Sequence, residues 1–469
     1  MTTTAAVPAL GVLDVDGLHL CDKPVVPISG AIRHVGDLYN GARRHGLAQL
    51  WLTDAWVSAA GLPESLRGAR GRPRHLPHPF VADGLAATEL HAWPEGLSHW
   101  LALDKKGVAG AGVAIVVPAY DDNATWGEGI DADTLLAALY AYANAVGRPY
   151  VRSPGKTGLD LLIETTRRGG KRDAVEDWPP PALDTNTVRD LTWMRTLSPD
   201  ERGRAYLHSY DKNALWLGAA SSVELGLGDV EDRSADGAPG DGSGVAFDKR
   251  LPGYWLARLG GAEERWHCTP TVARAIERGQ TVAISQAYVW TRRARALEGW
   301  YERLRDARAT LKADPSPAAR LALDVLKYTY AVTVSTLGGT WYKHDDPLYR
   351  PDWRHQIIAQ ANANLSRALG RLEAAGVPVV AINVDCAYVV SDEPDPVTAM
   401  KGTLKLGEGL GDFKVRDAAI PLGQVVEAFD PERQRGEAAV KTLTRLIAAV
   451  GSAGGGNAAG SVGGGNGEG

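Results

Sequence analysis

Residues 381–391, Ala-Ile-Asn-Val-Asp-Cys-Ala-Tyr-Val-Val-Ser, decide the fold class of this chain. Apolar runs rich in β-branched residues stand on both sides of a single carboxylate, Asp385, as a buried β-hairpin requires. An Asp at the tip of such a hairpin is placed where it could hold a metal ion. The alternative is a solvated turn residue, since Asp is favoured in turns. A second segment bears on this choice.

That second segment is residues 206–218, Tyr-Leu-His-Ser-Tyr-Asp-Lys-Asn-Ala-Leu-Trp-Leu-Gly. A short apolar strand again delivers one carboxylate, Asp211, and a turn then leads toward the small residues 219–222. Two Asp residues at the ends of neighbouring strands can form a two-metal site, whereas neither can do so alone. We therefore expect the strands that carry Asp211 and Asp385 to be adjacent in one antiparallel sheet.

The two segments resemble the first and third palm motifs of the family B DNA polymerases, especially the protein-primed branch. The first motif of that family reads Asp-x-x-Ser-Leu-Tyr-Pro and is similar to residues 211–217; the third reads Tyr-x-Asp-Thr-Asp-Ser and is similar to residues 383–389, with the second Asp kept. The resemblance implies that Asp211 and Asp385 are catalytic ligands of Mg²⁺ or Mn²⁺. The chain departs from the family pattern at four positions: Asn383 replaces a carboxylate, Cys386 and Ala214 each replace a Ser, and Trp216 replaces the Tyr that screens the sugar.

The region after the first motif predicts a strand, a helix, a strand and two long helices, at 251–259, 271–278, 281–290, 292–312 and 318–334. This order is similar to the family's palm strands followed by a two-helix fingers hairpin. The resemblance implies that Lys327, on the second long helix, meets the incoming triphosphate. It also implies nucleotide contacts by Asn213, Trp216 and Tyr330. The alternative for Lys327 is an ordinary solvated helix.

Basic residues in several places are candidate DNA contacts. Residues 410–414, Leu-Gly-Asp-Phe-Lys, resemble a family strand whose Lys touches the primer terminus, which makes Lys414 a candidate. Clusters at 67–75, at 167–172 and on the 292–312 helix are typical of phosphate-binding patches. The individual candidates in these clusters are Arg67, Arg70, Arg72, Arg74 and Arg293. For each of them the alternative is a solvated surface residue.

The N-terminal part predicts a separate α/β domain with strands at 11–17, 47–53 and 113–117 and a helix at 135–146. Family B enzymes usually carry a proofreading exonuclease of ribonuclease H type here, which needs several carboxylates around two metal ions. Four acids are available but form no exonuclease motif: Asp14, Asp16, Asp54 and Asp160. We interpret this domain as exonuclease-like, degenerate and inactive.

Composition sets outer bounds on function. The 469 residues carry a net charge of -5, which is not typical of a nonspecific DNA-coating protein but is compatible with local basic patches. The three cysteines are too scattered for a zinc set or a disulfide framework, which favours a reducing cytoplasm. No N-terminal apolar run is long enough for a signal or membrane helix, so no membrane partner is expected. The high use of Ala, Gly, Arg and Asp resembles a GC-rich actinobacterial genome.

These patterns predict a mixed α/β protein in three parts. Residues 1–181 form the degenerate ribonuclease H-like domain, 182–450 an α+β palm with two-helix fingers and a short thumb, and 451–469 a disordered Gly-rich tail. The leading hypothesis is template-directed DNA synthesis for a phage, plasmid or linear replicon. Its partners would be primer-template DNA and nucleotides, with a terminal protein or other replication proteins as further candidates. The alternative is a non-catalytic, polymerase-derived DNA-binding protein at replicon ends or telomeres, and a third idea is a nuclease that uses the N-terminal acids.

Overall fold

The computed structural model describes residues 7–28, 30–63, 76–105, 107–108, 110–121, 123–166, 188–234, 245–339, 349–430 and 437–453. They fall into two compact units. Of the described residues, the first unit contains those up to 163 together with 302–333, and the second contains those within 164–301 and 334–453. Most of the helical region predicted as fingers therefore clusters with the N-terminal residues. The division at residue 181 stays a prediction.

A six-stranded mixed sheet organises the first unit. Its elements in chain order are β1 (Leu10–Asp14), β2 (Gly17–Leu20), α1 (Val35–Arg44), β3 (Gln49–Leu52), α2 (Asp54–Ala59), α3 (Pro79–Thr88), β4 (Leu90–Trp93), β5 (Trp100–Lys105), β6 (Val113–Val116), α4 (Ala132–Val146) and α5 (Pro154–Thr166). The strand order is β2-β1-β3-β6-β5-β4, and β1, β3 and β6 run parallel. The helix predicted at 135–146 is present as α4 but begins earlier, because the side chain of Asp131 accepts a hydrogen bond from the Thr134 amide and caps it.

Three further sheets build the second unit. Its first elements are β7 (Thr192–Met194), α6 (Pro199–Arg202), β8 (Tyr206–Lys212), α7 (Leu215–Ala220), β9 (Leu225–Gly226), β10 (Glu231–Ser234), β11 (Gly253–Leu259), β12 (Arg265–Cys268), α8 (Thr269–Glu277), β13 (Val282–Val289) and β14 (Arg293–Ala294). After α9 (Glu298–Ala313) and α10 (Pro317–Thr336) come α11 (Pro351–Ala374), β15 (Val379–Asn383), β16 (Cys386–Ser391), α12 (Pro396–Ala399), β17 (Phe413–Pro421) and α13 (Glu437–Ala453). The sheets have the orders β17-β8-β16-β15-β7, β10-β13-β11-β12 and β14-β9. The mixed α/β class is confirmed.

The five-stranded sheet is antiparallel throughout and carries the two segments that opened the sequence argument. Leu207, Val380 and Tyr388 from its strands pack in one core cluster with Leu443 and Ile447 of α13. Burial of these side chains stabilises the sheet by about 25 cal/mol for each Å² of apolar surface removed from water. The sheet is thus a rigid platform for the residues at its edge.

The predicted start of one helix was wrong. The helix predicted at 292–312 begins at Glu298, because Arg293 lies in β14, where it pairs with Gly226 of β9. Helical periodicity continues through this short strand, so the pattern alone did not reveal it. The first residues of the tail predicted at 451–469 lie in α13, which runs to Ala453. Residues 454–469 lie outside the described residues.

All three cysteines are free; Cys21 is exposed, and Cys268 and Cys386 are buried. Among the residues that the structure describes, no helix is both long enough and apolar enough to cross a bilayer.

Candidate active site

The hairpin of β15 and β16 has a turn of two residues. Asn383 pairs with Cys386, leaving Val384 and Asp385 in the turn. Val384 has φ 58°, a left-handed conformation that is strained for a β-branched residue. Its amide donates a hydrogen bond to the Leu191 carbonyl at 3.0 Å, which helps to hold this conformation. Strained backbone of this kind concentrates at functional sites, where the surrounding structure over-determines it.

The strand that carries Asp211 is adjacent to this hairpin, as predicted. In the antiparallel pairing of β8 with β16, Asp211 lies opposite Cys386. The amide of Lys212 donates to the carbonyl of Asp385 at 2.9 Å. Asp211 and Asp385 are therefore backbone neighbours at the same end of two paired strands. The adjacency is confirmed; their role as metal ligands stays a proposal.

The environment of Asp385 favours its neutral form in the absence of a bound cation. Burial, and then the negative charge of Asp211, raise the pKa of Asp385 to about 7, while Arg416 and Lys414 act in the opposite direction. Removal of a carboxylate from water and a nearby like charge both penalise ionisation. A cation that bound between the carboxylates would relieve both penalties. Cys386 does not compete for that role, since burial raises the pKa of its thiol and keeps it protonated.

Asp211 has two cations beside it. Lys414 Nζ lies 3.8 Å from Asp211 Oδ2, and Arg416 Nη1 lies 3.6 Å from Asp211 Oδ1. Both side chains come from β17, which pairs with β8 so that Lys414 is opposite Asp211. The Oδ1 atom of Asp211 is buried and accepts no hydrogen bond from the described residues. An oxygen of this kind is suited to a metal ion.

The residues present fit a divalent cation such as Mg²⁺ or Mn²⁺. These hard ions prefer carboxylate oxygens, and Mg²⁺ in particular is usually held by one or two carboxylates together with water and substrate phosphates. Asp211 and Asp385 supply that donor set, including the buried Oδ1 atom described above. The fit to a divalent cation is thus a match of ligand chemistry, carboxylate oxygens for a hard ion.

Two residues predicted as nucleotide contacts, Asn213 and Trp216, lie near the site. Asn213 is buried, and its side chain donates to the Gly407 carbonyl at 2.8 Å. The backbone N–H of Asn213 also donates to the Asp412 carbonyl at 2.8 Å, so Asn213 anchors the loop that precedes β17. Trp216 lies in the first turn of α7 and is partly buried. Asn213 and Trp216 follow β8, the strand that carries Asp211, by one and four residues.

The remaining candidates either have other partners or lie outside the described residues. Lys327 and Tyr330 lie on α10, in the first unit; Lys327 Nζ contacts Asp324 Oδ1 at 2.7 Å, and Tyr330 is 6% exposed. Arg293 Nε pairs with Glu224 Oε2 at 2.8 Å. The arginines Arg67, Arg70, Arg72 and Arg74, and the cluster at 167–172, lie outside the described residues.

A second polar cluster lies in the first unit. One ligand atom each of Asp14, Asp16 and His19 lie within 4.8 Å of one another. His19 is buried, and its ring nitrogens contact Asp133 Oδ1 at 2.8 Å and Asp16 Oδ1 at 2.9 Å. Burial acts to lower the pKa of His19, but the hydrogen bonds to the two carboxylates outweigh it and raise that pKa. The carboxylates of Asp16 and Asp133 therefore favour the protonated form of His19.

The other two acids predicted for the N-terminal domain have different partners. Asp54 accepts a hydrogen bond from the Gly129 amide at 2.9 Å. Asp160 forms ion pairs with Arg148 and Lys156. Neither residue belongs to the cluster of Asp14 and His19.

Sequence reasoning missed Arg416 and Asp417 in the second unit, and His19 with Asp133 in the first. Arg416 follows Lys414 by two positions, and that spacing on a strand is the one signal that places both side chains on one face. His19 follows Asp16 by three residues across a tight turn, a spacing that predicts no shared site.

No protein-family model matches the sequence, and no curated protein matches it either. Solved structures similar to the chain include phi29 DNA polymerase complexed with primer-template DNA, at a TM-score of 0.45 and 9% identity over 87% of this chain and 84% of that one. An orthorhombic crystal form of phi29 DNA polymerase gives 0.44 and 11% over 88% and 85%. The family B DNA polymerase from the hyperthermophilic archaeon Pyrobaculum calidifontis gives 0.35 and 13% over 88% and 56%. The function proposed below therefore rests on the residues of the chain itself.

Proposed function

We propose that the chain carries out template-directed DNA synthesis, with Asp211 and Asp385 as the ligands of the divalent cations. The observation that carries this proposal is the pairing of β8 with β16, which brings both carboxylates to the same end of neighbouring strands. The resemblance of residues 211–217 and 383–389 to palm motifs of family B DNA polymerases supports the choice of reaction.

Each residue of the site has a chemical role in this proposal. Bound Mg²⁺ or Mn²⁺ would supply stabilisation of the attacking and leaving oxygens of an in-line displacement. Asp211 and Asp385 would hold the cation through carboxylate oxygens. Because the pKa of Asp385 is about 7, its ionised form must be reached before it can act as a ligand, and cation uptake near neutral pH releases a proton. Lys414, half exposed beside Asp211, would contact a phosphate of the DNA.

Lys327 and Tyr330 are proposed as nucleotide contacts, and Asn213 and Trp216 as residues that support the nucleotide site. A triphosphate would have to replace Asp324 as the partner of Lys327. The arginines at 67, 70, 72 and 74 are proposed as phosphate contacts on the resemblance and charge pattern alone. A terminal protein as an additional partner is a proposal of the same kind.

One observation favours the second candidate, a non-catalytic DNA-binding protein. Asp211 already has Lys414 and Arg416 within 4.0 Å, so its charge is compensated without any metal ion. The replacement of a family carboxylate by Asn383 removes a further negative charge from the hairpin. A protein that binds DNA ends and does not extend them needs no metal ion at these carboxylates.

Primer extension separates the two candidates. We expect the full chain, with Mg²⁺ or Mn²⁺, a labelled primer-template and all four nucleotides, to extend the primer. Asp385→Asn and Asp211→Asn should each lower the rate at least about a hundredfold, because each removes an electrostatic ligand of the transition state. DNA binding, followed by fluorescence anisotropy, should be retained in both variants, since a negative charge is lost near phosphates.

Asp392→Asn is the matched control. Asp392 directly follows the far end of β16, where it pairs with Arg204 on the surface, so its loss leaves the paired ends of β8 and β16 untouched. This variant should extend primers as the unmodified protein does. Tight DNA binding by the unmodified protein without any extension, under either metal, would replace the polymerase proposal with the non-catalytic one.

A further inference from the structure

The position of Arg416 follows from an irregularity in β17. Val415 pairs with Tyr210 and Asp417 pairs with Ser209, so β17 advances two residues while β8 advances one. Arg416 is the extra residue of this β-bulge. Bulges bend a strand locally and re-aim a side chain, and they are common beside active sites. Here the bulge brings the guanidinium within 3.6 Å of Asp211.

Two hydrogen bonds fix the bulge. The Ser209 hydroxyl donates to Asp417 Oδ2 at 2.6 Å, and the Asp417 amide donates back to the Ser209 hydroxyl at 3.0 Å. Ser209 is fully buried, so this pair is held against the core of the sheet. Asp417 thereby keeps a carboxylate beside the guanidinium of Arg416.

The guanidinium is shared between two carboxylates and bound closely to neither. Its Nη1 atom lies 3.6 Å from Asp211 Oδ1, and its Nε atom lies 3.7 Å from Asp417 Oδ2. Both separations exceed the 2.7–3.2 Å range of a formed N–H···O hydrogen bond. A small side-chain rotation would close either contact at the expense of the other. The ion pair with Asp211 is therefore the kind that a competing cation can break at low cost.

We propose that Arg416 is the resident counter-ion of Asp211, that a divalent cation must displace it, and that Asp417 accepts the displaced guanidinium. This inference rests on the metal-binding role proposed above for Asp211. Arg416 is a positioning residue in this scheme, because it acts on the cation through Asp211. The consequence is a site whose metal affinity is set by the partition of one guanidinium between two acids.

Mn²⁺ binding to the full chain, measured at pH 8 from the loss of the free-ion electron paramagnetic resonance signal, tests this directly. Asp211→Asn defines the part of the binding that belongs to the site. Arg416→Gln should bind Mn²⁺ at that site about tenfold more tightly, because a charge within 4 Å no longer competes and solvent screens part of its effect. Arg416→Lys keeps the charge and should remain near the affinity of the unmodified protein. Arg265→Gln, which removes an exposed ion pair with Glu263, is the matched control and should change nothing.

Asp417→Asn supplies the second measurement and does not require the loss of Arg416. An amide oxygen at position 417 can still accept from Ser209, but it attracts the guanidinium less. Mn²⁺ affinity should then fall about threefold when Arg416 is present and should be unaffected when Arg416 is Gln, a coupling that a purely structural role would not produce.

The outcomes separate this inference from the proposed function. Equal or weaker Mn²⁺ binding by Arg416→Gln, with binding still dependent on Asp211, overturns the displacement scheme and leaves the metal site intact. If neither the unmodified protein nor Arg416→Gln shows Mn²⁺ binding that depends on Asp211 or Asp385, the metal site and the inference are overturned together. Asp211-dependent binding seen in Arg416→Gln and not in the unmodified protein supports the inference and explains an inactive parent chain.

Discussion

Replacing Asp385 with Asn should stabilise the metal-free protein while removing a proposed metal ligand. The carboxyl of Asp385 has a pKa of about 7 in the folded chain, against 3.8 for an unperturbed Asp. Its ionised form is therefore disfavoured by burial and by Asp211. Asn has nearly the same shape and no charge, so it removes the penalty at pH values where Asp385 would be ionised.

The magnitude follows from the shift. About three pKa units at 1.36 kcal/mol per unit give about 4 kcal/mol as an upper bound. Asp385 keeps part of its surface exposed, so solvent screening brings the expected value to about 2 kcal/mol. The native state holds the extra proton between pH 3.8 and about 7, so the unmodified protein loses stability as pH rises through that window. The advantage of Asp385→Asn should be absent near pH 4 and complete above pH 7.

Hydrogen exchange of peptides that span residues 379–391 measures the change in stability of the second unit by itself. A single unfolding midpoint would mix the two compact units of the chain. In EDTA at pH 8, Asp385→Asn should slow exchange about thirtyfold relative to the unmodified protein, because 1.4 kcal/mol is a factor of ten. At pH 4 the two proteins should exchange alike, and Asp392→Asn should show neither effect. Equal protection at both pH values would refute the electrostatic account of Asp385, and faster exchange of the variant at pH 8 would mean that the ionised carboxylate stabilises the turn.

Two further predictions concern other parts of the chain. Arg350→Leu should destabilise the second unit by about 3–5 kcal/mol, because Arg350 and Asp352 form a buried ion pair with exposures of 5% and 2% and the removal of one partner strands the other charge; hydrogen exchange of α11 peptides measures this, and a change under about 1 kcal/mol would contradict it. The full chain should release little or no label from a 3′-end-labelled strand with Mn²⁺, because among the described residues the metal-ligand cluster of Asp14 and Asp16 is completed by His19 and by no further acid; metal-dependent release that disappears in Asp14→Ala would contradict this expectation.

Local patterns in the sequence predicted most of the secondary structure and the principal pair of acids. The hairpin was predictable because two apolar runs flank Asp385, and both strand signals are local. The adjacency with the Asp211 strand, a contact across about 170 residues of chain, came from the chemical expectation that paired metals need paired acids. The chemistry of a two-metal site and the resemblance to palm motifs thus predicted that Asp211 and Asp385 lie at the ends of neighbouring strands, and β8 and β16 are paired.

The rest could not be predicted, for identifiable physical reasons. A β-bulge has no reliable sequence signature, so the position of Arg416 beside Asp211 was hidden even though the residue lies two positions from Lys414. Val384 has a left-handed backbone conformation that a β-branched residue disfavours, and the hydrogen bond from its backbone N–H to the Leu191 carbonyl helps to hold it. The short strand at Arg293 forms only because Gly226 offers a partner from a distant segment. In each case a tertiary contact overrides the local preference.

The charge balance of the site links the two candidate functions. Asp211 and Asp417 pair with two cations, Lys414 and Arg416, and the charges of both cations also act on a third carboxylate, Asp385. The cluster has one net negative charge when Asp385 is ionised and none when Asp385 is protonated. The cluster should bind a divalent ion more readily above pH 7 than below it, because a proton and the metal ion compete for the carboxylate of Asp385. If Arg416 gives way to the metal, the carboxylates are free to serve nucleotidyl transfer. If Arg416 stays paired with Asp211, the same residues form a closed ion cluster, as expected for the non-catalytic alternative.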